Sequence, residues 1–294
     1  MIQPEDLKKD LIAMDSLKDL TGMLEQTAAH TIARIRMNIL DSRSFFSEAW
    51  GIYRLLKTLS PPPPAVVKKH LVVGIGMDWG MSGGLLGKVM KEVGTQQKEH
   101  QSDLLIAGKM SHEEFRGDTD HTVHLFAAPK EITLEAIQPI YRVIAGYAQV
   151  TIVYPRYESL SKQHVSFVSF TTNSDDESEY MLGRSAKGES SVLATGLLID
   201  PKRFITDPSP QELSNYLNET IIGLTMHHYF LESILAYNAA QMVAMRNGYN
   251  NAEDESRKIK VAYNKAVRQT IDTKIREITS ARRIQGYDVE GGVV

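Results

Sequence analysis

There is no cysteine among the 294 residues, which excludes disulfides, thiolate metal sites and thiol redox switching. No proline follows Pro210, so nothing in the last part of the chain forbids one continuous helix. Long apolar runs are missing as well. The longest, Leu71–Met77, is far too short to cross a bilayer. The first fifteen residues carry charges where a signal peptide needs an apolar stretch. Charge of one sign is also lacking: the formal net charge of −3 points to neither nucleic acid nor an acidic tail. A cytoplasmic protein is expected, able to dock on a membrane complex without inserting into the membrane directly. Its 42% apolar and 23% charged residues suffice for a buried core, and its length suggests two structural units.

What is present begins with helix formers. From the Pro210 region to about Ile284 the chain reads as one helix of about 75 residues, roughly 110 Å long. A helix of that length is a coiled coil, a membrane span or a repeat, and the scattered charges exclude the span. The other end behaves likewise. Leu17, Leu20, Leu24, Ala28, Ile32, Ile35 and Ile39 recur at steps of three and four, one apolar stripe that ends before Pro61–Pro64. Between the two, the period changes to that of strands. Strands are expected at His70–Gly76, Asp103–Ala107 and His121–Ala127, then an edge hairpin of Val150–Tyr154 and His164–Thr171 joined by the loop YESLSKQ. Helices are expected through Leu85–Val93 and Leu134–Tyr147. The fold class is therefore α/β, with a long antiparallel coiled coil of the terminal helices and a small Rossmann-like domain. The expected divisions are 1–60 for the first helix, 65–172 for the α/β domain, 173–208 for a mobile loop and return strand, and 209–294 for the second helix and a flexible tail.

On the second helix Ile259, Tyr263, Val267, Ile271, Ile275 and Ile278 form a stripe that is not a clean heptad, so irregular supercoiling is expected. The coil core is assigned to Leu17, Leu20, Leu24, Ile32, Ile35 and Ile39 against Met242, Tyr263 and Val267. The second helix outruns the first by about 20 residues. From Arg257 to Arg283 it carries nine basic residues against Asp272 and Glu277, a local charge of +7. Such a run is either a solvated face or a docking surface for an acidic partner. Without interleaved aromatics, nucleic acid is the weakest reading.

Nucleotide and metal signals fail on inspection. Gly83–Lys88 lacks the first glycine of a phosphate-binding loop, and Val89 stands where a magnesium ligand belongs. The Gly74–Gly76 pair lacks the third glycine of a dinucleotide fingerprint, with Trp79 in its place. His121 and His124 on one strand would face opposite ways, so they and Asp118 and Asp120 make no shared metal site. His227 and His228 read as packing or surface residues. No cofactor or metal is expected.

The residues carry a family resemblance. Met242–Asn247 (MVAMRN), Asn251-Ala252, Tyr263–Ala266 (YNKA) and Arg276–Ile278 (REI) resemble the C-terminal signature of the F-type ATP synthase gamma subunit. LIDPKRFITDPSPQELSNYL, IVYPRYES, HVSFVSF and Met77–Leu85 (MDWGMSGGL) are similar to that family's segments in the same order, as is LTGML near the start. The likeness covers the whole chain. Departures are Trp79 for an arginine, Ser82 for a cysteine, and His30-Thr31 where a lysine is usual. The family's Arg-Gln pair appears one position late, as Arg268-Gln269 with Val267 in the arginine's place; one residue is about 100° of helix rotation.

The resemblance implies a non-catalytic rotor shaft inside a ring of three alpha and three beta subunits. The α/β domain would hold an epsilon-type subunit and the membrane rotor ring. Contacts to the stator are implied for Arg257, Lys260, Lys265, Arg268, Gln269, Lys274 and Arg276. A bearing tip is implied for Ile271, Ile275, Ile278 and Ile284. Two alternatives are a gamma-derived cytoplasmic scaffold that no longer turns, motivated by the shifted Arg-Gln pair, and a Rossmann-like enzyme motivated by Gly74–Gly84.

Overall fold

The computed structural model describes residues 3–59, 67–78, 80–115, 121–129, 132–171 and 210–290, chiefly by backbone alone at 37–59 and 284–290. Pro61–Pro64, Trp79, Asp118, Asp120 and the loop and return strand expected over 173–208 lie outside the described residues, as do the side chains of Ile39 and Ile284. The elements run α1 (Pro4–Leu59), β1 (Val67–Ile75), α2 (Leu85–His100), β2 (Asp103–Ala107), a 3₁₀ turn (Lys109–Ser111), α3 (His112–Phe115), β3 (Val123–Phe126), α4 (Leu134–Ala145), β4 (Tyr147–Ser159), β5 (Lys162–Thr171) and α5 (Pro210–Glu290). Pro210 opens α5 at the first-turn position, where its missing N–H costs nothing. The flexible tail expected from Gln285 is instead helical to Glu290. Among the described residues no helix is long and apolar enough to cross a membrane.

The chain divides into two compact units, Met1–Gln26 with Met245–Val294, and Thr27–Ala244. Both long helices contribute to both units. The second unit holds a five-stranded sheet in the order β3-β2-β1-β4-β5. β1 pairs in parallel with β2 and β4, and β2 with β3, while β5 runs antiparallel to β4. The edge hairpin is longer than expected. Its ladder continues to Ser159 opposite Lys162, so the anticipated YESLSKQ loop is mostly strand, with a turn of Leu160 and Ser161. Cross-strand pairing satisfies the backbone there more fully than an open loop would.

Alternation along the strands fixes the two faces. Leu71, Val73 and Ile75 of β1 join Leu105, Val150, Ile152 and α4's Ile137, Ile140 and Ile144 on one face, with Ile222, Met226, Tyr229 and Phe230 of α5. Val72, Leu104, Ile106 and Val153 face α2 through Val89, Met90 and Val93, together with Ala236, Tyr237 and Ala240 of α5. Gly74 permits the approach of α2, because a Cβ there would stand 2.8 Å from Val93. Tyr237 donates a buried hydrogen bond to the Ile75 carbonyl at 2.9 Å, which fixes α5 at the end of the central strand. Glu232, also buried, lies 3.9 Å from Arg156 of β4 and 3.6 Å from His228.

Candidate functional site

Gly83 and Gly84 turn into α2 with φ of 60° and 80°, a left-handed turn that glycine adopts without steric cost. Beside it, the crevice at the carboxyl ends of the parallel strands is where a nucleotide sits in Rossmann-type folds. Here Asp78 occupies that position. Its Oδ1 accepts from the backbone N–H of Lys109 at 2.7 Å and of Ala128 at 3.0 Å, joining the segments that follow β1, β2 and β3. A Cβ on Gly83 would lie 3.7 Å from the Ala240 carbonyl and from Ala244, so α5 runs alongside the turn. Asp78 thus places a carboxylate of the chain itself, and its negative charge, at the strand ends beside the glycine turn.

At the opposite, amino end of the sheet, buried Asp103 accepts from the Tyr147 phenol at 3.1 Å and from the Thr122 N–H at 3.1 Å. Burial, then the Asp103 hydrogen bond, pushes the Tyr147 phenol up to about 12. His124 is on β3, 3.5 Å from the Tyr147 hydroxyl, and His121 precedes the strand. Among the described residues no group of three or more His, Asp or Glu is arranged to hold a metal. His227 meets the Ile132 carbonyl at 3.0 Å, and burial lowers its pKa. His70 bonds the Thr151 hydroxyl at 2.8 Å and stands edge-on to His100 with ring centres 4.4 Å apart. These histidines belong to the packing of the sheet domain.

The first unit is where the sequence and the described side chains point to an interaction. There α1 and α5 pair antiparallel. Asp15 accepts from the Ser256 hydroxyl at 3.2 Å, Glu25 pairs with Arg246 at 3.2 Å, and Lys18 stands 5.9 Å from the centre of the Tyr249 ring. The Tyr249 ring packs against α1 at Gly22, where a Cβ would meet it at 3.7 Å. Along α1 the buried and half-buried positions include Leu7, Leu11, Met14, Lys18, Thr21 and Glu25, with Gly22 and Leu24 beside them, and steps of four and three continue through Ala28, Ile32 and Ile35. On α5 they include Met245, Tyr249, Ala252, Ser256, Ile259, Tyr263 and Ala266, with Gly248, Glu253 and Val267 beside them. Each set contains a heptad line broadened by its neighbours.

The seam corrects the coil core. Leu17 and Leu20 are 43% and 52% exposed, and Lys18 and Thr21 take the seam in their place. Counting back in sevens from Ile35 reaches 28, 21, 14 and 7; this line shares Ile35 and Ala28 with the apolar stripe and departs from it by one step at Thr21, beside Leu20. Leu24 is half-buried. Ile32 and Ile35 lie in the second unit, packed with Leu231 and Leu235 of α5. Met242, Tyr263 and Val267 are each half-buried. The sequence stripe missed Met245, Tyr249 and Ala252; the clue was the glycine at 22 and again at 248, which lets helices approach with an aromatic between them.

The sums of paired residue numbers place the start of α1 opposite Ala266, and α5 changes character there. From Arg268 to Arg283 every side chain is exposed. Ile271, Ile275 and Ile278 are 51%, 56% and 58% exposed, an apolar stripe with no cover among the described residues. Arg257 pairs with Glu253 and Lys258 with Glu255, both on the same helix. No ion pair among the described residues involves Lys260, Lys265, Arg268, Lys274 or Arg276. Lys265, Arg268 and Gln269 line a shallow indentation of α5 with Val261 and Asn264. The stretch therefore offers hydrated cations for charge recognition beside isoleucines whose exposure to water is unfavourable, a combination suited to an enclosing partner.

Residues 3–283 match the family model described as ATP synthase. The chain is 22% identical over 305 residues to the ATP synthase gamma chain of Roseiflexus castenholzii, covering 95% of this chain and 97% of that one. It is 24% identical over 300 residues to the ATP synthase gamma chain of a Geobacter species, covering 95% and 98%. Among solved structures it is similar to a chain of the Euglena gracilis mitochondrial ATP synthase, with a TM-score of 0.62, 15% identity, and 99% and 97% of the two chains covered. A chain of the Tetrahymena thermophila mitochondrial ATP synthase central stalk and c-ring gives a TM-score of 0.56 at 16% identity, covering 78% and 98%. At these identities the structures establish a shared fold.

Proposed function

The chain belongs to the ATP synthase gamma family, and from that membership we propose how its parts divide the work of a central-stalk rotor shaft. The antiparallel coil of the first unit and its tip sit in the bore of a ring of three alpha and three beta subunits. The α/β domain holds an epsilon-type subunit and the membrane rotor ring, which makes the protein peripheral to a membrane. ATP is made or hydrolysed at the beta subunits, and this chain contributes no reacting group. It acts mechanically. A shaft without threefold symmetry presents a different face to each of three otherwise identical beta subunits, holds them in different states, and cycles those states as it turns. Coupling of that kind requires differential contact with the two beta conformations.

One observation carries this reading: the coil seam stops opposite Ala266, and the following exposed stretch carries both a bare isoleucine stripe and cations without ion pairs among the described residues. Ile271, Ile275, Ile278 and Ile284 form the bearing. Arg257, Lys260, Lys265, Arg268, Gln269, Lys274 and Arg276 meet acidic loops of the stator. Arg268 and Gln269 are both exposed while Val267 is half-buried, so the shifted pair is available to a partner from a helix face turned by about 100° relative to the family position. The Asp78 carboxylate held at the strand ends weighs against the nucleotide-enzyme alternative, because it would face a phosphate of like charge.

The test is a pull-down of tagged full-length chain from its native cells beside a version truncated at Lys258, read by mass spectrometry. Alpha and beta ATPase subunits are expected with the full chain and lost with the truncation. Recovery of the full chain without them would end the shaft reading in favour of a scaffold.

A further inference from the structure

We propose that two copies of the isolated chain associate through the first unit, the tip of each α5 lying along the outer face of the other's α1. Three independent features of the two surfaces agree on this occupant. The first is apolar exposure. Ile12 and Leu20 are 58% and 52% exposed on the side of α1 away from the seam. Ile271 and Ile275 are 51% and 56% exposed on the tip. The second is spacing. Ile12, Ser16, Leu20 and Met23 follow at steps of four, four and three, and so do Val267, Ile271, Ile275 and Ile278. Two helices laid in parallel with Ile12 beside Val267 therefore bring all four layers into register.

The third feature is charge. In that alignment each residue of α1 lies level with the one 255 positions later, as 20 with 275. Glu5 then meets Lys260, Asp10 meets Lys265 and Asp19 meets Lys274. No like charges fall level anywhere between residues 5 and 25. None of these six side chains has an ion pair among the described residues. A segment with six acids against three lysines, 4–26, thus faces one that is strongly basic.

The symmetry closes. Within one unit, the pairs Asp15 with Ser256 and Glu25 with Arg246 each sum to 271, while the long Lys18 side chain reaches to Tyr249, four positions short of that register. Leu20 therefore lies level with position 251 of its own α5, and Ile275 lies 24 residues beyond, about 36 Å along the helix. A twofold axis across the helices that sets Ile275 of one copy beside Leu20 of the second also sets Leu20 of the first beside Ile275 of the second. It makes each tip parallel to the α1 it covers, as the register requires. The contact is isologous and ends at two chains rather than growing into a fibre.

The dimer does not depend on the shaft reading, because it involves this chain alone; a failed pull-down of ring subunits would leave it standing. If both hold, the tip cannot meet the second copy and the ring together, so ring subunits displace the dimer.

Sedimentation velocity of the full-length chain, without other subunits, tests it. A monomer–dimer equilibrium is expected, with Kd rising by at least about tenfold between about 0.05 M and about 0.5 M salt, because the flanking charges are solvent-exposed and screened. Leu20→Asp and Ile275→Asp, both on exposed positions, are each expected to leave the fold intact by circular dichroism and to raise Kd by roughly tenfold or more, since each puts a carboxylate in an apolar layer. Asp19→Lys and Lys274→Glu are each expected to weaken association, and the double variant to restore it. A chain that stays monomeric throughout would overturn the proposal. So would association that survives Leu20→Asp, that responds to Ile275→Asp alone, or that the double charge reversal fails to recover.

Discussion

The sheet domain and the helical tip are made from similar residues and use them in opposite ways. Ile106, Ile137 and Ile152 are wholly buried in the sheet domain, whereas Ile271, Ile275 and Ile278 are more than half exposed on α5. Charged groups differ likewise. Asp78, Asp103 and Glu232 each have partners inside the domain, while the cations from Lys260 to Arg276 have none among the described residues. A fold stabilises itself by satisfying its apolar and polar groups internally. A stretch that leaves an apolar stripe in water and its cations without protein partners is suited to another molecule.

The largest expected effect breaks this comparison most cleanly. Ile106→Ala should cost about 2–5 kcal/mol of unfolding free energy, the usual range for a core cavity. Ile275→Ala should cost less than about 0.5 kcal/mol, as at an ordinary surface position. Urea denaturation of both variants checks this, and similar costs would mean that the tip is covered within the chain.

Next comes the Asp103 network. Asp103→Ala removes the acceptor of the Tyr147 phenol in a buried setting, at about 1–3 kcal/mol, while the exposed Thr122 N–H can turn to water. Adding Tyr147→Phe removes one of those donors, so the double variant should be more stable than Asp103→Ala alone. Thermal melts of the single and double variants measure that recovery.

A smaller effect concerns pH. Burial, and then neighbouring His100, lowers the pKa of His70 from its ordinary 6.5. The folded chain therefore holds His70 neutral where the unfolded chain already takes up a proton. The associated stability is present above 6.5 and is lost as pH falls through the lowered folded value. His227, also lowered by burial, adds in the same direction. The urea midpoint should drop on acidification through that window. His70→Gln, which can keep a hydrogen bond to Thr151, should make the drop shallower.

Much of this was legible in sequence. The strand Asp103–Ala107 and the parallel sheet with an antiparallel edge follow from short apolar runs bounded by turn residues, because burial on both faces leaves little else that such runs can do. The emergence of α5 beyond α1 follows from helix length alone. The phase of the coil was not legible from hydrophobicity, because Leu17 and Leu20 outrank Lys18 and Thr21 on any apolar scale. Tyr249 against Gly22, and the heptad fixed from Ile35 against Leu231 and Leu235, outweigh that local preference. The role of Asp78 was also hidden, since its backbone partners Lys109 and Ala128 are brought to it only by the sheet.

The smallest prediction sharpens that phase. Lys18→Leu puts an apolar side chain in the seam and should stabilise the α1 pairing by about 0.5–1 kcal/mol. Leu17→Lys should be neutral within about 0.5 kcal/mol. Hydrogen exchange of the α1 amides reads both, and the reverse order would move the seam back to the leucine stripe.

Beyond Ala266, α5 is bare among the described residues, and a shaft in a rotary ATPase would have it enclosed. With no native cysteine to interfere, single cysteines placed at 271, 275 and 278 and at the seam position 252 can be labelled with a maleimide, in dilute free chain and in purified complex. Fast labelling of the three tip positions in the free chain, slowed strongly in the complex, with position 252 slow in both, is the predicted result. Tip cysteines that label equally fast in both would contradict it.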